Sequence, residues 1–111
     1  MSVSKNKPIN SLPAEWYTND KFLKKEINQI FLKSWILIGP EDQISNPGDC
    51  LFQSIVDQPI VCVRQENNSI KTFFNICRHR AGSFKTKKRK NNYLVCNYHG
   101  WTYSINGELK N

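Results

Sequence analysis

Residues 77–82 read Cys-Arg-His-Arg-Ala-Gly, and residues 96–101 read Cys-Asn-Tyr-His-Gly-Trp. Each stretch offers one thiolate and one imidazole, and sixteen residues separate His79 from Cys96. In one kind of [2Fe–2S] cluster, two cysteines hold one iron and two histidines hold the other. Imidazoles in place of thiolates leave the cluster less negative, which favours its reduced form. The pattern therefore predicts an electron carrier whose candidate ligands are Cys77, His79, Cys96 and His99.

A zinc site is the alternative for the same side chains, because two Cys and two His also bind Zn²⁺ tetrahedrally. Zinc fingers usually group Cys with Cys and His with His, whereas the two types alternate here. The one-residue gap between Cys77 and His79 is also tight for chelating one ion. The third reading, loop residues without a metal, fits poorly with two histidines that both lie within three residues of a cysteine.

The residues around these side chains resemble the Rieske motif of ring-hydroxylating oxygenases, in their large (alpha) subunit. The resemblance implies that Cys77 and Cys96 bind one iron, and that His79 and His99 bind the other through ring nitrogens. It also implies a mainly β chain with a small antiparallel Rieske-type β-fold. The resemblance runs from about Tyr17 onward, with further matches at Glu26, Phe31, Trp35, Pro47-Gly48-Asp49, Asn75 and Gly107-Glu108-Leu109.

One departure separates this sequence from the Rieske proteins of respiratory complexes, which join their cluster loops by an extra disulfide. The matching positions here are Gly82 and Tyr98, so that disulfide cannot form. Trp101 stands where the respiratory type has a Ser that hydrogen-bonds the cluster. Fewer hydrogen bonds to the sulfurs stabilise the reduced cluster less, so we expect a low-potential centre of the oxygenase or ferredoxin kind.

A second departure concerns the catalytic iron of the family, which two His and one carboxylate hold in a larger domain. Both histidines of this sequence are assigned to the cluster, so mononuclear Fe(II) is expected only on a missing domain or a partner. The resemblance then implies an oxidoreductase component that relays single electrons from a reductase or ferredoxin to a catalytic oxygenase domain or subunit. A stand-alone Rieske ferredoxin and a zinc-stabilised binding module with a basic loop remain as alternatives.

Apolar periodicity predicts an amphipathic helix over 17–35, after an N-terminal extension over 1–16. The resemblance implies a Rieske domain over 36–111. Thr18 or Asn19 is the expected helix cap. Asn106-Gly107 predicts a tight turn with a short return strand. Domains of the family that this sequence resembles continue with further strands, so the resemblance implies that the closing strands of the sheet are missing here. The predicted strands are Trp35–Ile38, Cys50–Val56, Ile60–Arg64, Ile70–Asn75 and Tyr93–Cys96.

Charge is the remaining signal, with a formal net charge of +7 and a basic run at Lys85–Lys90. This run is expected to form an exposed turn that steers an acidic donor, or simply a solvated loop. We expect no nucleic-acid partner, because basic patches alone are weak evidence for one.

Neither a membrane span nor a secretory signal is apparent, and a cytoplasmic location is expected. Cys50 and Cys62 are expected to be small buried hydrophobes without a disulfide between them.

Overall fold

The computed structural model describes residues 10–84 and 93–111. They belong to two compact units, one ending at Ile36 and the other beginning at Leu37. The turn expected over Lys85–Lys90 lies outside the described residues. None of the described helices is long and apolar enough to cross a bilayer.

The first unit is helical, with α1 over Glu15–Thr18 and α2 over Asp20–Gln29. Asn19 caps α2, because its side-chain oxygen accepts a hydrogen bond from the Lys21 N–H at 2.9 Å. Such a cap is worth about 1 kcal/mol. The helix expected over 17–35 is shorter than that range, since α2 ends at Gln29 with Ile30 as its C-cap and a tighter 3₁₀ turn follows over Phe31–Lys33.

The second unit contains a three-stranded antiparallel sheet, made of β1 Cys50–Ile55, β2 Gln58–Arg64 and β3 Ile70–Phe74. The strand order in the sheet is β1-β2-β3. Positive φ angles at Val56 (48°) and Asp57 (63°) form the two-residue turn between β1 and β2, a geometry that matches the twist of the paired strands. The turn between β2 and β3 is closed by a hydrogen bond from the Gln65 N–H to the Ser69 carbonyl, at 2.8 Å.

A second antiparallel pair consists of β4, Tyr93–Val95, and β5, Thr102–Ser104. The turn predicted at Asn106-Gly107 is confirmed, with Gly107 at a φ of 94°. Residues 108–111 return along β5, because the Ser104 N–H donates to the Glu108 carbonyl at 2.8 Å. This pair therefore places the residues after Val95 and before Thr102 in one connecting loop.

The three-stranded sheet has a different apolar cluster on each face, because neighbouring residues of a strand point to opposite sides. Val61 and Val63 lie in the cluster that contacts the second pair of strands. Cys62 packs with Ile44 in the other cluster. Cys50 is opposite Val63 in the strand register, so the thiols of Cys50 and Cys62 lie on opposite faces and cannot form a disulfide.

The predicted strand over Trp35–Ile38 is wrong, since these residues have no regular secondary structure. An apolar run becomes a strand only when a neighbouring strand satisfies its backbone groups. No backbone hydrogen bond joins residues 35–38 to the strands in the described part of the chain. The prediction of a mainly β chain with an N-terminal helix is otherwise confirmed.

Candidate metal centre

The first candidate loop follows β3 and is closed by its own backbone. The Cys77 N–H donates to the Gly82 carbonyl at 2.7 Å, and the Ala81 N–H donates to the Cys77 carbonyl at 2.9 Å. Ala81 has a φ of 56°, which lies in the left-handed region. Outside the loop, the Asn75 side chain accepts from the Phe84 N–H at 2.7 Å, so the two ends of the loop are tied together.

The second candidate loop joins β4 to β5 and repeats the backbone pattern of the first. The Cys96 N–H donates to the Trp101 carbonyl at 2.8 Å, and the Gly100 N–H donates to the Cys96 carbonyl at 3.1 Å. Gly100 has a φ of 79°, at the position that Ala81 has in the first loop. Both loops therefore hold a cysteine at the start of the same turn.

The two loops lie directly against each other. The Asn97 N–H donates to the Ser83 carbonyl at 3.0 Å. A Cβ atom on Gly82 would lie 2.8 Å from the Cys96 sulfur and 2.9 Å from Tyr98 Cβ. Gly82 and Tyr98 are thus neighbours in space. This is the proximity needed at the two positions that carry the extra disulfide in the Rieske proteins of respiratory complexes.

The two candidate cysteines are buried together. Cys77 is 1% exposed and Cys96 is 4% exposed, and both belong to the same buried core cluster. The Tyr103 hydroxyl lies 3.4 Å from the Cys77 sulfur, and the Tyr98 N–H points at the Cys96 sulfur at 3.5 Å. Hydrogen-bond donors thus approach both sulfurs.

The pKa of Cys77 shows how these donors act. Burial by itself raises the pKa of this thiol, but hydrogen bonds from Tyr103 and from the backbone N–H groups of His79 and Arg80 outweigh burial and lower it. Burial and the neighbouring Cys77 raise the pKa of Tyr103, so the phenol keeps its proton and donates it toward the sulfur. This environment favours the thiolate, the form of cysteine that binds metals.

The two candidate histidines form the exposed half of the site. The rings of His79 and His99 have centroids 4.8 Å apart and meet edge to face. Trp101 stacks flat on His79, with centroids 4.6 Å apart and an interplanar angle of 3°. Tyr98 packs on His99, with centroids 3.9 Å apart. Each imidazole therefore has one aromatic ring against it and remains accessible to solvent.

The arrangement gathers the four predicted side chains as two pairs, sulfur with sulfur inside and imidazole with imidazole outside. A cluster with two irons needs one pair of ligands for each metal, and this donor set and burial fit that requirement. Within residues 10–84 and 93–111, no three His, Cys, Asp or Glu side chains come together around a single point.

Tyr103 is a site residue that the sequence analysis did not assign. Its contact with Cys77 spans 26 positions of the chain, so only the tertiary fold brings the two together. A weak signal was present, because Trp101, Tyr103 and Ile105 alternate in β5 and its continuation and therefore share a face.

The comparisons with known proteins agree with this geometry. The sequence profile described as "Rieske [2Fe-2S] domain" matches residues 34–111. The chain belongs to the Rieske [2Fe–2S] domain family. Its family cofactor is the cluster that the paired ligands suggest.

Relatives of this Rieske domain are alpha subunits and oxygenase components of Rieske oxygenases. The chain is 36% identical over 97 residues to choline monooxygenase of Arabidopsis thaliana, which covers 87% of this chain and 23% of that protein. It is 38% identical over 103 residues to the alpha subunit of benzene 1,2-dioxygenase of Pseudomonas putida, covering 86% of this chain and 21% of that one. The Rieske domain thus spans between a fifth and a quarter of the length of these curated relatives.

A solved structure gives the same result for the fold. The quaternary ammonium Rieske monooxygenase CntA, in complex with an inhibitor, superimposes with a TM-score of 0.84 at 27% identity. The match covers 91% of this chain and 29% of that one. The fold is therefore that of a Rieske domain, an electron-transfer unit found within oxidoreductases.

Proposed function

We propose that Cys77, Cys96, His79 and His99 hold one [2Fe–2S] cluster, with the cysteines on one iron and the histidines on the other. When bound, the cluster supplies storage for a single electron. The observation that carries this proposal is the division of the four side chains into a buried sulfur pair and an exposed imidazole pair. We also propose that residues 36–111 form the Rieske domain and that 1–16 and 17–35 precede it as an extension and a helical segment.

The cysteine pair and the histidine pair have different surroundings, and these suit the inner and the outer side of a cluster site. Tyr103 and backbone N–H groups donate to the sulfurs, and such donors stabilise the more negative, reduced cluster. His79 and His99 are accessible to solvent, so their outer ring atoms are the part of the site that another protein can approach. The chain thus provides an insulated inner side and an accessible outer edge.

The proposed role is to relay single electrons from a reductase or ferredoxin to a mononuclear iron centre in a catalytic oxygenase domain or subunit. The similarity to oxygenase alpha subunits supports this direction of transfer. Both histidines of the chain lie in the proposed cluster site, so the oxygen-activating iron is assigned to that other domain or subunit.

A pair of cysteine variants tests the ligand assignment. Cys77→Ala removes a proposed ligand, whereas Cys50→Ala removes a half-buried thiol whose pKa burial and Asp49 raise to about 11. Unmodified protein and Cys50→Ala should purify red-brown, with two irons and two acid-labile sulfides per chain, as the formula requires. Cys77→Ala should be colourless and lack both.

Metal analysis by mass spectrometry and visible absorption are the measurements. Zinc at one ion per chain in colourless unmodified protein would contradict the proposal and favour a zinc-stabilised binding module. Full iron content in Cys77→Ala would contradict the ligand assignment alone, because the cluster would then have other ligands.

A further inference from the structure

A groove of about 730 Å³ lies beside the proposed cluster site in the second unit. It touches three consecutive residues of β3, namely Thr72, Phe73 and Phe74. Neighbouring side chains of a strand point to opposite faces of the sheet, so a cavity that reaches all three must pass around an edge of β3. The sheet order is β1-β2-β3, and β2 covers one edge, so the groove runs along the other.

Among the described residues, no strand pairs with this edge of β3, which leaves it available to another polypeptide. An edge strand presents a row of backbone N–H and C=O groups that can pair with a further strand. Phe74 is 63% exposed, and Ile76, just beyond the strand, is also exposed. The opposite wall of the groove is apolar and comes from the second strand pair, through Leu94 and Tyr103. An added strand therefore finds backbone partners on β3 and apolar contacts on both sides, the combination used in β-strand addition.

The groove is continuous with the proposed cluster site. Arg78, which lies between Cys77 and His79 in the sequence, forms part of its lining. The Tyr103 side chain in its wall reaches the Cys77 sulfur at 3.4 Å. A segment seated in the groove against Tyr103 is therefore separated from the Cys77 sulfur by one side chain.

The charges of the groove and of the chain indicate what kind of segment can bind in the groove. Arg78 is the one charged side chain that lines the groove in the described part of the chain, and no carboxylate lies along it there. The chain as a whole carries a formal charge of +7, which opposes the approach of a second copy. A segment with apolar side chains and a carboxylate opposite Arg78 complements this surface.

A relay must meet two partners, and the molecule has two surfaces at the site. The imidazole edge at His79 and His99 is one, and the groove on the side of Cys77 is the other. We propose that the β3 groove docks an extended, apolar and carboxylate-bearing segment of an acidic ferredoxin-type electron donor. This inference rests on the proposed function, and it leaves the imidazole edge accessible to the electron acceptor.

The test measures binding of an acidic plant-type [2Fe–2S] ferredoxin to the cluster-loaded chain at low salt. Phe74→Asp places a negative charge in the groove, which repels the carboxylate of the docked segment. It should raise the dissociation constant about tenfold or more, the loss of affinity expected at a central interface contact. Leu109→Asp is the matched control, because Leu109 is 51% exposed in the same unit and does not line the groove. It should bind within about twofold of the unmodified chain, since a surface change outside an interface has little effect on affinity.

Hydrogen exchange on the unmodified chain gives a second readout that depends on no variant. Bound ferredoxin should slow amide exchange in β3, while β1, the opposite edge of the same sheet, should be unaffected. Equal affinities of the two variants, protection confined to β1 or the imidazole edge, or no binding by the unmodified chain would each overturn the docking proposal. Failure of the proposed function would be visible separately, as a chain that carries no [2Fe–2S] cluster at all.

Discussion

The loops 77–82 and 96–101 share one backbone pattern but have different surroundings. In each, the N–H of the cysteine donates to the carbonyl five residues later, and the N–H four residues later donates back to the cysteine carbonyl. The first loop reaches its left-handed position with Ala81 and the second with Gly100. The Cys77 sulfur faces the Tyr103 hydroxyl, whereas the Cys96 sulfur faces the backbone N–H of Tyr98.

This difference separates two tasks. The shared backbone pattern presents a thiol and an imidazole from each loop in the same way, which a paired site requires. The residues around each loop differ between the two loops. They determine how closely the loops approach, how the imidazole rings are covered and how strongly each sulfur is hydrogen-bonded. We therefore expect substitutions of these surrounding residues to change the iron content, the rate of iron release and the reduction potential of the centre by different amounts.

The largest effect is expected for Gly82→Ala. A Cβ at this position would lie 2.8 Å from the Cys96 sulfur, so the loops would have to separate. Overpacking of this kind costs about 3 kcal/mol, and it displaces a proposed ligand. We expect most of the bound iron to be lost, as measured by iron content per chain and by the Tm of the purified protein.

Gly100→Ala is the control for that variant. In the described part of the chain, a Cβ on Gly100 would meet no atom within 4 Å, so the obstacle to it there is the φ of 79°. Left-handed backbone costs a non-glycine residue about 1 kcal/mol, and Ala81 already accepts it in the first loop. Iron should be retained and the Tm should fall modestly. Equal iron loss in both variants would show that the contact between the loops is not what matters.

A smaller effect is expected for Trp101→Ala, which removes the ring stacked on His79. Aromatic contacts contribute about 1.5 kcal/mol at most beyond the area that they bury. We expect iron to pass to a chelator about tenfold faster, since tenfold corresponds to 1.4 kcal/mol. Absorbance at the cluster band, followed after adding the chelator, gives the rate.

Tyr98→Ala provides a comparison for Trp101→Ala in the same measurement of iron release. Tyr98 is exposed and packs on His99, so its loss uncovers less of the site than loss of the half-buried Trp101. A release rate that rises more for Tyr98→Ala than for Trp101→Ala would contradict the expectation that Trp101 shields His79 more than Tyr98 shields His99.

The smallest effect is expected for Tyr103→Phe, which removes only the hydroxyl near Cys77. A donor to sulfur stabilises the more negative reduced state, so its removal should lower the reduction potential. A hydrogen bond worth about 1 kcal/mol corresponds to roughly 40 mV for one electron. Protein-film voltammetry measures the shift. Tyr93→Phe, on an exposed tyrosine of β4, should leave the potential unchanged, and equal shifts in the two variants would contradict this role for Tyr103.

Much of the fold was predictable because its signals are local. Runs such as Cys50–Ile55 and Ile70–Phe74 combine apolar residues with turn residues at their ends, and both became strands. Asn106-Gly107 formed its turn because Gly107 tolerates a positive φ. The same reasoning was wrong for Trp35–Ile38, since a strand also needs a partner and a local apolar run does not supply one.

The site was predictable in its residue types and less so in its surroundings. The spacing of Cys77, His79, Cys96 and His99 indicated the pairs, and the fold brings those pairs together. The donor role of Tyr103 and the left-handed Ala81 were missed. The first depends on a contact between distant strands, and the second has no sequence signal, because glycine or asparagine usually takes that conformation. The ligand assignment itself stays a prediction.

The central claim is that the two loops hold one cluster through unlike pairs of ligands. Electron paramagnetic resonance of the anaerobically purified, dithionite-reduced chain tests this claim most directly. The account predicts the rhombic signal of a reduced [2Fe–2S] cluster with mixed Cys and His ligation. A colourless, zinc-containing chain that gives no signal would contradict it.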